Sequence, residues 1–248
     1  MKYMKAPLSF PDQADMLRQR GLVADRATLI ERLKAVNYYR LSAYWYTFRD
    51  RRATDERLHP GTTLDTVWRR YVFDRHLRLL VIDAIERVEI AVRTQLVNRH
   101  VCAHGPFGYL DRANLPGMNA FIHKDLLDRI RKETDHSKED FVGHYFGKYT
   151  SEVDLPLWMA CELMTFGNML TIFRHVEKAI KQDIAAEYGV ADKVLESWLL
   201  TLNYVRNICA HHARLWNRGL GKPAPPPASR PAPSTLRAKS STTWSTNH

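Results

Sequence analysis

The sequence predicts an all-α protein, a helical bundle with an N-terminal helical extension. Three observations carry this. Apolar residues recur at three- and four-residue spacing along most of the chain, as on a helix with one buried face. No segment sustains the strict alternation of a strand. Glycine is scarce, 11 of 248 residues, which favours helices over sheets. The 45% hydrophobic content is enough for a sizeable core, and no fixed-period repeat appears.

Ser9 stands where an N-cap belongs, with Asp12 three residues on. That helix is expected to run to about Arg20 and stop at Gly21. Asp25 caps the next, whose Leu29, Ile30, Leu33 and Val36 share one face. Residues 37–46 are dense in aromatics. Core packing of a third helix is the default reading there, and a base-stacking platform is the alternative. Residues 49–61 form a charged loop ending in Pro60-Gly61. Thr63 then opens the longest helical pattern, to about Arg99, with an apolar stripe from Leu64 to Leu96. A rod of that length spans about 50 Å. Asp74, Arg75, Arg78, Glu86, Glu89 and Arg93 decorate it. A solvated charged face is the expected reading. The alternative is that some of them line a dimer groove or orient a site on a neighbouring helix. Glu89 and Arg93 stand in the order that favours an ion pair one turn apart.

Gly105-Pro106 and Leu115-Pro116-Gly117 mark loops. A short basic amphipathic helix covers residues 121–133, and Ser137 with Asp140 caps another that reaches about residue 149. Pro156 sits in the first turn of the next. Phe166-Gly167-Asn168 breaks the pattern ahead of residues 169–176. A helix over about 177–188 stops at Gly189, and the last covers about 192–217. From Gly219 the composition changes. Residues 222–248 hold six prolines among Ser, Thr, Ala and Arg, lack an apolar period, and read as a disordered tail. Two parts follow, a helical domain over 1–221 and a low-complexity tail over 222–248.

Lys and Arg number 37 against 27 Asp and Glu, a formal net charge of +10. Four of those positives and no acid lie beyond residue 221, which leaves +6 on the rest. This balance suits a nucleic-acid partner and equally a soluble basic protein. Cys102, Cys161 and Cys209 are too few for a disulfide-stapled scaffold and read as reduced thiols of a cytoplasmic protein. Lys2 and Lys5 are followed by no apolar signal run, and no apolar stretch is long enough to span a bilayer. Neither secretion nor a membrane partner is expected. In His100-x-Cys102-x-His104 the paired ligands lie closer together than in zinc sites, and no second cluster completes the set. No metal ligand and no cofactor is assigned.

The chemistry is concentrated in Tyr204-Val205-Arg206-Asn207-Ile208-Cys209-Ala210-His211-His212-Ala213-Arg214-Leu215-Trp216-Asn217-Arg218. An arginine, an asparagine and two histidines interrupt an otherwise apolar helix. Burying such groups unpartnered is costly, so this helix faces a polar surface or does chemistry. Asn203, Asn207 and His211 are four apart and form one stripe. Arg206 lies about 60° from Asn203 around the helix, and its long arm can reach the same space. Leu195, Trp198, Leu199, Leu202 and Val205 are left to pack against the bundle.

RNA carries its own nucleophile, the 2′-OH. Cleavage needs that hydroxyl deprotonated, the 5′-oxygen protonated and the phosphorane charge stabilised. Histidine titrates near neutrality, and arginine stays cationic and binds phosphate oxygens through paired hydrogen bonds. Arg206 and His211 are the catalytic candidates. Asn207, His212 and Asn203 are assigned supporting roles, and Arg214 and Arg218 are assigned to RNA binding. One histidine does not easily serve as both base and acid. Two copies of the helix across a two-fold axis supply two, so a homodimer belongs to the mechanism. DNA, lacking the 2′-OH, is expected to be bound but not cut. Two other readings stay open on the residues alone. One is a non-catalytic RNA-binding or antitoxin-like module. The other is a structural helical protein whose Arg/His segment satisfies a buried network.

Residues 206–212, followed by Arg214-Leu215-Trp216-Asn217-Arg218, resemble the signature of Abi-like (AbiD/AbiF type) abortive-infection proteins of bacteria, within the HEPN superfamily of helical ribonucleases. Other segments agree in order: 36–44, 71–78, 105–110 and 155–158, with Glu162 and Phe166-Gly167. The resemblance spans about residues 10–220. It implies a HEPN-type helical bundle and a dimer that cleaves RNA without metal or cofactor. It implies catalysis by Arg206 and His211, support from Asn207 and help from His212. It also implies phage defence, by arresting host translation on infection or as a toxin held by an antitoxin protein or small RNA. The chain departs from the pattern after Arg218. Proteins of this pattern continue there with helical, aromatic-rich sequence, so the Pro-rich tail reads as a truncation or frameshift. A missing terminal helix would expose apolar surface on the Arg/His helix or weaken the dimer.

Overall fold

The computed structural model describes residue 4, residues 6–50 and residues 52–220. Among the described residues lie ten α-helices and no strand, as the periodicity predicts. The tail reading over 222–248 lies outside the described residues. The chain divides into two compact units. The described part of the first lies within 4–94 and 200–220, and the described part of the second is Gln95–Leu199.

In the first unit each helix starts where a side chain meets orphan backbone donors. The Asp12 N–H donates to Ser9 Oγ at 3.3 Å ahead of α1 (Phe10–Gln19). The chain then leaves through Gly21 at φ +96°, a left-handed turn that suits glycine. The Thr28 N–H donates to Asp25 at 2.8 Å and opens α2 (Arg26–Val36). Asn37 accepts the Tyr39 N–H at 2.8 Å and opens α3 (Tyr38–Trp45). Thr63 Oγ1 accepts the Thr66 N–H at 3.1 Å at the start of α4 (Leu64–His104). Leu17, Leu29, Leu33, Leu41, Trp45 and Val67 form the centre of the core. Each buried leucine contributes roughly 1.5–3 kcal/mol of apolar burial. The aromatic run of α3 divides between its two readings. Tyr44 and Trp45 are buried in this core, whereas Tyr39 is 85% exposed.

The charges on α4 also divide. Arg69–Asp65 and Arg87–Asp83 are exposed ion pairs one turn apart, as a solvated face requires. Glu89 and Arg93 pair at 2.6 Å and are largely covered. Asp74 and Arg78 are buried, which overturns the solvated reading for those two.

The second unit is built on α5 (Ala120–His136), α6 (Asp140–Lys148), α7 (Leu157–Leu163), α8 (Phe166–His175), α9 (Lys178–Glu187) and the first part of α10 (Asp192–Ala210). Ser137 does not cap α6. Its Oγ accepts the Glu139 N–H at 3.2 Å, and Glu139 takes the N-cap position with no side-chain bond. The break predicted at 166–168 falls at 164–165 instead. Thr165 Oγ1 accepts the Asn168 N–H at 3.2 Å, so α8 already begins at Phe166. Arg131 grips Asp154 through two bonds of 2.7 and 2.9 Å and fixes the turn before α7.

Near the end of α4 the backbone of Gly108 packs tightly on the helix. A Cβ there would lie 2.4 Å from His104 Cβ. Beside it His100 is fully buried, and neither ring nitrogen has a hydrogen-bond partner among the described residues. Burial, and then the neighbouring His104, hold the His100 pKa at about 4, below its ordinary 6.5. The folded chain keeps this ring neutral, while the unfolded chain protonates it below pH 6.5. Stability from this site is therefore full above pH 6.5 and is lost as pH falls towards 4. The loss amounts to about 3 kcal/mol. Thermal melts are expected to show Tm falling over that window, with a smaller fall in His100→Leu. An identical pH slope in that variant would remove His100 as the cause.

Candidate functional site

The last helix ends at Ala210, short of the predicted 217. The Ala213 N–H donates to the Ile208 carbonyl at 2.9 Å and the His212 N–H to the Cys209 carbonyl at 3.0 Å, the two bonds of a Schellman cap. The left-handed residue of that cap is His212, at φ +55°, where glycine is usual. Holding a side chain there costs about 1–2 kcal/mol, so the surroundings must impose it. The His211 N–H still donates to the Asn207 carbonyl at 3.0 Å, so His211 keeps the helical register and the stripe with Asn207 survives. Arg214 lies beyond the helix, contrary to the pattern-based reading, and Arg218 lies beyond it as that reading had it.

What imposes the cap is a buried carboxylate on α4. Asp74 Oδ1 accepts the N–H groups of Leu215 and Trp216 at 3.1 and 2.6 Å. Its Oδ2 accepts the Tyr44 hydroxyl at 2.6 Å and pairs with Arg78. Asp74 is 0% exposed. A buried carboxylate is tolerated only when its lone pairs are met, and here four donors meet them. Burial, and then the bond to Asp74, push the Tyr44 phenol well above its usual range. Arg40 donates to the His212 carbonyl, and Arg214 Nη1 donates to the Ala43 carbonyl at 3.1 Å. Trp216 packs on the first unit's core, with the Arg70 guanidinium 5.1 Å from its ring. The segment after α10 is thus fastened to α3 and α4.

The side chains divide by face. Val205, Ile208 and Cys209 are buried and anchor the helix, with Leu202 partly covered. Burial raises the Cys209 thiol pKa, which keeps it from acting as a nucleophile. Asn207, His211 and His212 are exposed and Asn203 is half-buried. The Arg206 side chain is 36% exposed, with Nε 4.0 Å from Glu89 Oε2. The other oxygen of Glu89 holds Arg93. His211, His212 and Arg214 line one open cleft of about 510 Å³ with Asn37, Tyr39 and Arg40. Arg206 does not line that cleft and faces Glu89 instead. Arg218 lies apart from it, bonding the Tyr204 hydroxyl at 3.3 Å. The cleft presents imidazoles for proton transfer beside guanidinium groups that attract phosphate.

Asp74 and Arg78 take the alternative the sequence offered for the α4 charges, orienting a site on a neighbouring segment, whereas Tyr44 and Arg40 escaped the sequence reading as parts of this site. A signal for the first two was present. Asp74 and Arg78 continue the buried stripe of Val67, Ile85, Val92 and Leu96, so a paired acid and base occupy core positions of a helix. Nothing local marks Arg40 or Tyr44 as holders of a segment far along the chain.

Among the described residues no group of three or more His, Cys, Asp or Glu side chains is arranged to hold a metal ion. No described helix is long and apolar enough to cross a membrane. Neither the curated proteins nor the solved structures offer a match to this chain. The sequence model of the family described as Abi-like protein matches residues 31–217, a span that takes in α3, α4, the Asp74 anchor and the whole Arg206–His211 segment. The chain belongs to the Abi-like protein family.

Proposed function

We propose that this chain is a metal-independent endoribonuclease of an abortive-infection or toxin–antitoxin phage-defence system. It cleaves RNA by attack of the 2′-OH at a composite site in a homodimer. Membership of the Abi-like family supports the defence role. The observation that carries the chemistry is the exposure of His211 in an open basic cleft at the end of the helix that bears Arg206. His211 transfers the proton, and Arg206, which lies outside the His211 cleft of its own copy, stabilises charge on the phosphorane across the dimer. Asn207, His212 and Asn203 support them, and Arg214 and Arg218 hold the strand. An antitoxin protein or a small RNA restrains the activity. A purely structural role for the segment finds less support, because Arg206 is half-exposed and His211 is open to solvent rather than sealed in a network.

The second copy supplies the second histidine. Phe73, Leu79, Leu80 and Ile90 on α4 are each more than half exposed, apolar side chains interleaved with the exposed Arg87–Asp83 pair in the first unit. They fall within an arc of about 120° around the helix. Leu80→Glu is expected to convert the dimer to a monomer in sedimentation equilibrium and to lower cleavage at least tenfold, an effect of about 1.4 kcal/mol. A monomer that cleaves at the full rate would rule out the composite site.

The defining experiment is incubation of the purified chain with single-stranded RNA in EDTA. Products with 2′,3′-cyclic phosphate ends are expected. No cleavage, or cleavage only on adding a divalent metal, would refute the proposal.

A further inference from the structure

The cleft at His211 and His212 is the middle of a longer furrow. A second cleft of about 620 Å³ adjoins it and shares Arg40 and His212. A third of about 710 Å³ shares Asn37 and Tyr39 with it and no residue with the second. Every lining residue belongs to the first unit. Arg75 lies at one end, Arg40 and Arg214 in the middle, and Arg20 and Arg49 at the other end. The acid on the furrow's lining is Glu56, which Arg20 and Arg49 share at 2.7 and 3.2 Å. Two cations on one carboxylate leave that end positive.

Tyr39 stands on the ridge between the middle and third clefts, 85% exposed. Its backbone is fixed on both sides. The N–H donates to Asn37 Oδ1 at 2.8 Å, and the carbonyl accepts the Ser42 hydroxyl at 2.7 Å. Its neighbours on α3, Tyr44 and Trp45, are in the core, so this ring is the part of the aromatic run that the fold leaves uncovered. An open aromatic ring on a fixed backbone, in clefts that guanidinium groups also line, matches what single strands need, a stacking surface for an unpaired base and cations for the phosphates.

We propose that this furrow is a binding track for single-stranded RNA, with Tyr39 as its base-stacking platform. The track deepens the ribonuclease reading above and rests on it for the choice of RNA over other polyanions. A strand seated on Tyr39 passes His211 and His212 on its way to Arg75. A duplex, whose bases already stack on one another, has no free face to offer. Tyr39 is a positioning residue: it holds a base so that the neighbouring linkage meets the imidazoles.

The test uses the full chain in EDTA with a 2′-O-methyl single-stranded oligonucleotide, which cannot be cut, carrying 2-aminopurine. Binding by the wild type should quench the 2-aminopurine fluorescence. Tyr39→Ala should weaken binding about tenfold or more and abolish the quenching, whereas Tyr39→Phe keeps both. Because the ring is exposed, Tyr39→Ala should melt at the wild-type temperature. Arg75→Ala should lower the slope of log affinity against log salt by about 0.7, the loss of one phosphate contact on a single strand. The track is overturned if the wild type does not bind the oligonucleotide, if Tyr39→Ala binds and quenches like the wild type, or if duplex RNA binds as tightly as the single strand. The two readings separate cleanly. Cleavage abolished by His211→Ala, with binding indifferent to Tyr39, keeps the nuclease and removes the track. Tyr39-dependent binding without any cleavage keeps the track and removes the nuclease.

Discussion

His211→Ala is expected to reduce RNA cleavage in EDTA by about 10²–10⁴-fold, the usual contribution of a positioned proton-transfer group. Arg206→Ala is expected to reduce it by about 10²–10³-fold through the loss of charge stabilisation in the transition state. Neither loss should come from unfolding. His211 is exposed, and Glu89 keeps its bond to Arg93 at 2.6 Å when Arg206 is removed, so no buried charge is orphaned. Unchanged melting temperatures in both variants would establish this. Arg206→Lys keeps the charge but loses the planar pair of donors and should recover only part of the rate. In cells, expression of the wild type should be toxic and expression of His211→Ala harmless. Wild-type rates in both alanine variants would remove these residues from the mechanism.

Asp74→Ala should produce the largest loss of stability in the chain, about 3–5 kcal/mol. The substitution leaves Arg78 buried without its carboxylate and the Tyr44 hydroxyl without its acceptor. It also frees the N–H groups of Leu215 and Trp216, which hold the segment after α10. Urea unfolding checks the first consequence and RNA cleavage the second. Asp74→Asn still offers an acceptor oxygen and should fall between the wild type and the alanine variant. The double variant Asp74→Leu with Arg78→Leu separates stability from anchoring. An apolar pair can replace a buried ion pair with little loss of stability. The part of the stability lost by orphaning Arg78 should therefore return, while the Tyr44 hydroxyl and the two N–H groups still lack their acceptor and cleavage stays low. Full cleavage in that double variant would mean that the Asp74 anchor does not position the site.

The helices, and the starts of those in the first unit, were readable in the chain because the interactions that make them are local, whereas the starts of α6 and α8 were not. Ser9, Asp25 and Thr63 each accept an N–H three residues on, and Gly21 and Gly189 take the left-handed turns that end their helices. The relation of Asn207 to His211 was readable for the same reason, since one helical turn joins them. The end of α10 was not. Leu215 and Trp216 continue an apolar helical pattern, and the residue that turns left-handed is a histidine rather than the glycine that signals a stop. The chain bends there because a carboxylate 141 residues earlier accepts the Leu215 N–H. Asp74 itself has the look of a surface charge with a partner one turn on, and only the packing of α3 beneath it makes it an anchor.

Composition, helical periodicity and capping residues, each acting over a few positions, set the all-α class, the helix starts of the first unit and the Arg206–His211 spacing. The three-dimensional packing decided which charges are buried, where the last helix stops, and that His211, His212, Tyr39 and Arg40 share one cleft. The division has one physical cause. A hydrogen bond within a turn is fixed by the residues that span it, whereas burial and the capture of a distant N–H group depend on which surfaces the folded chain brings together.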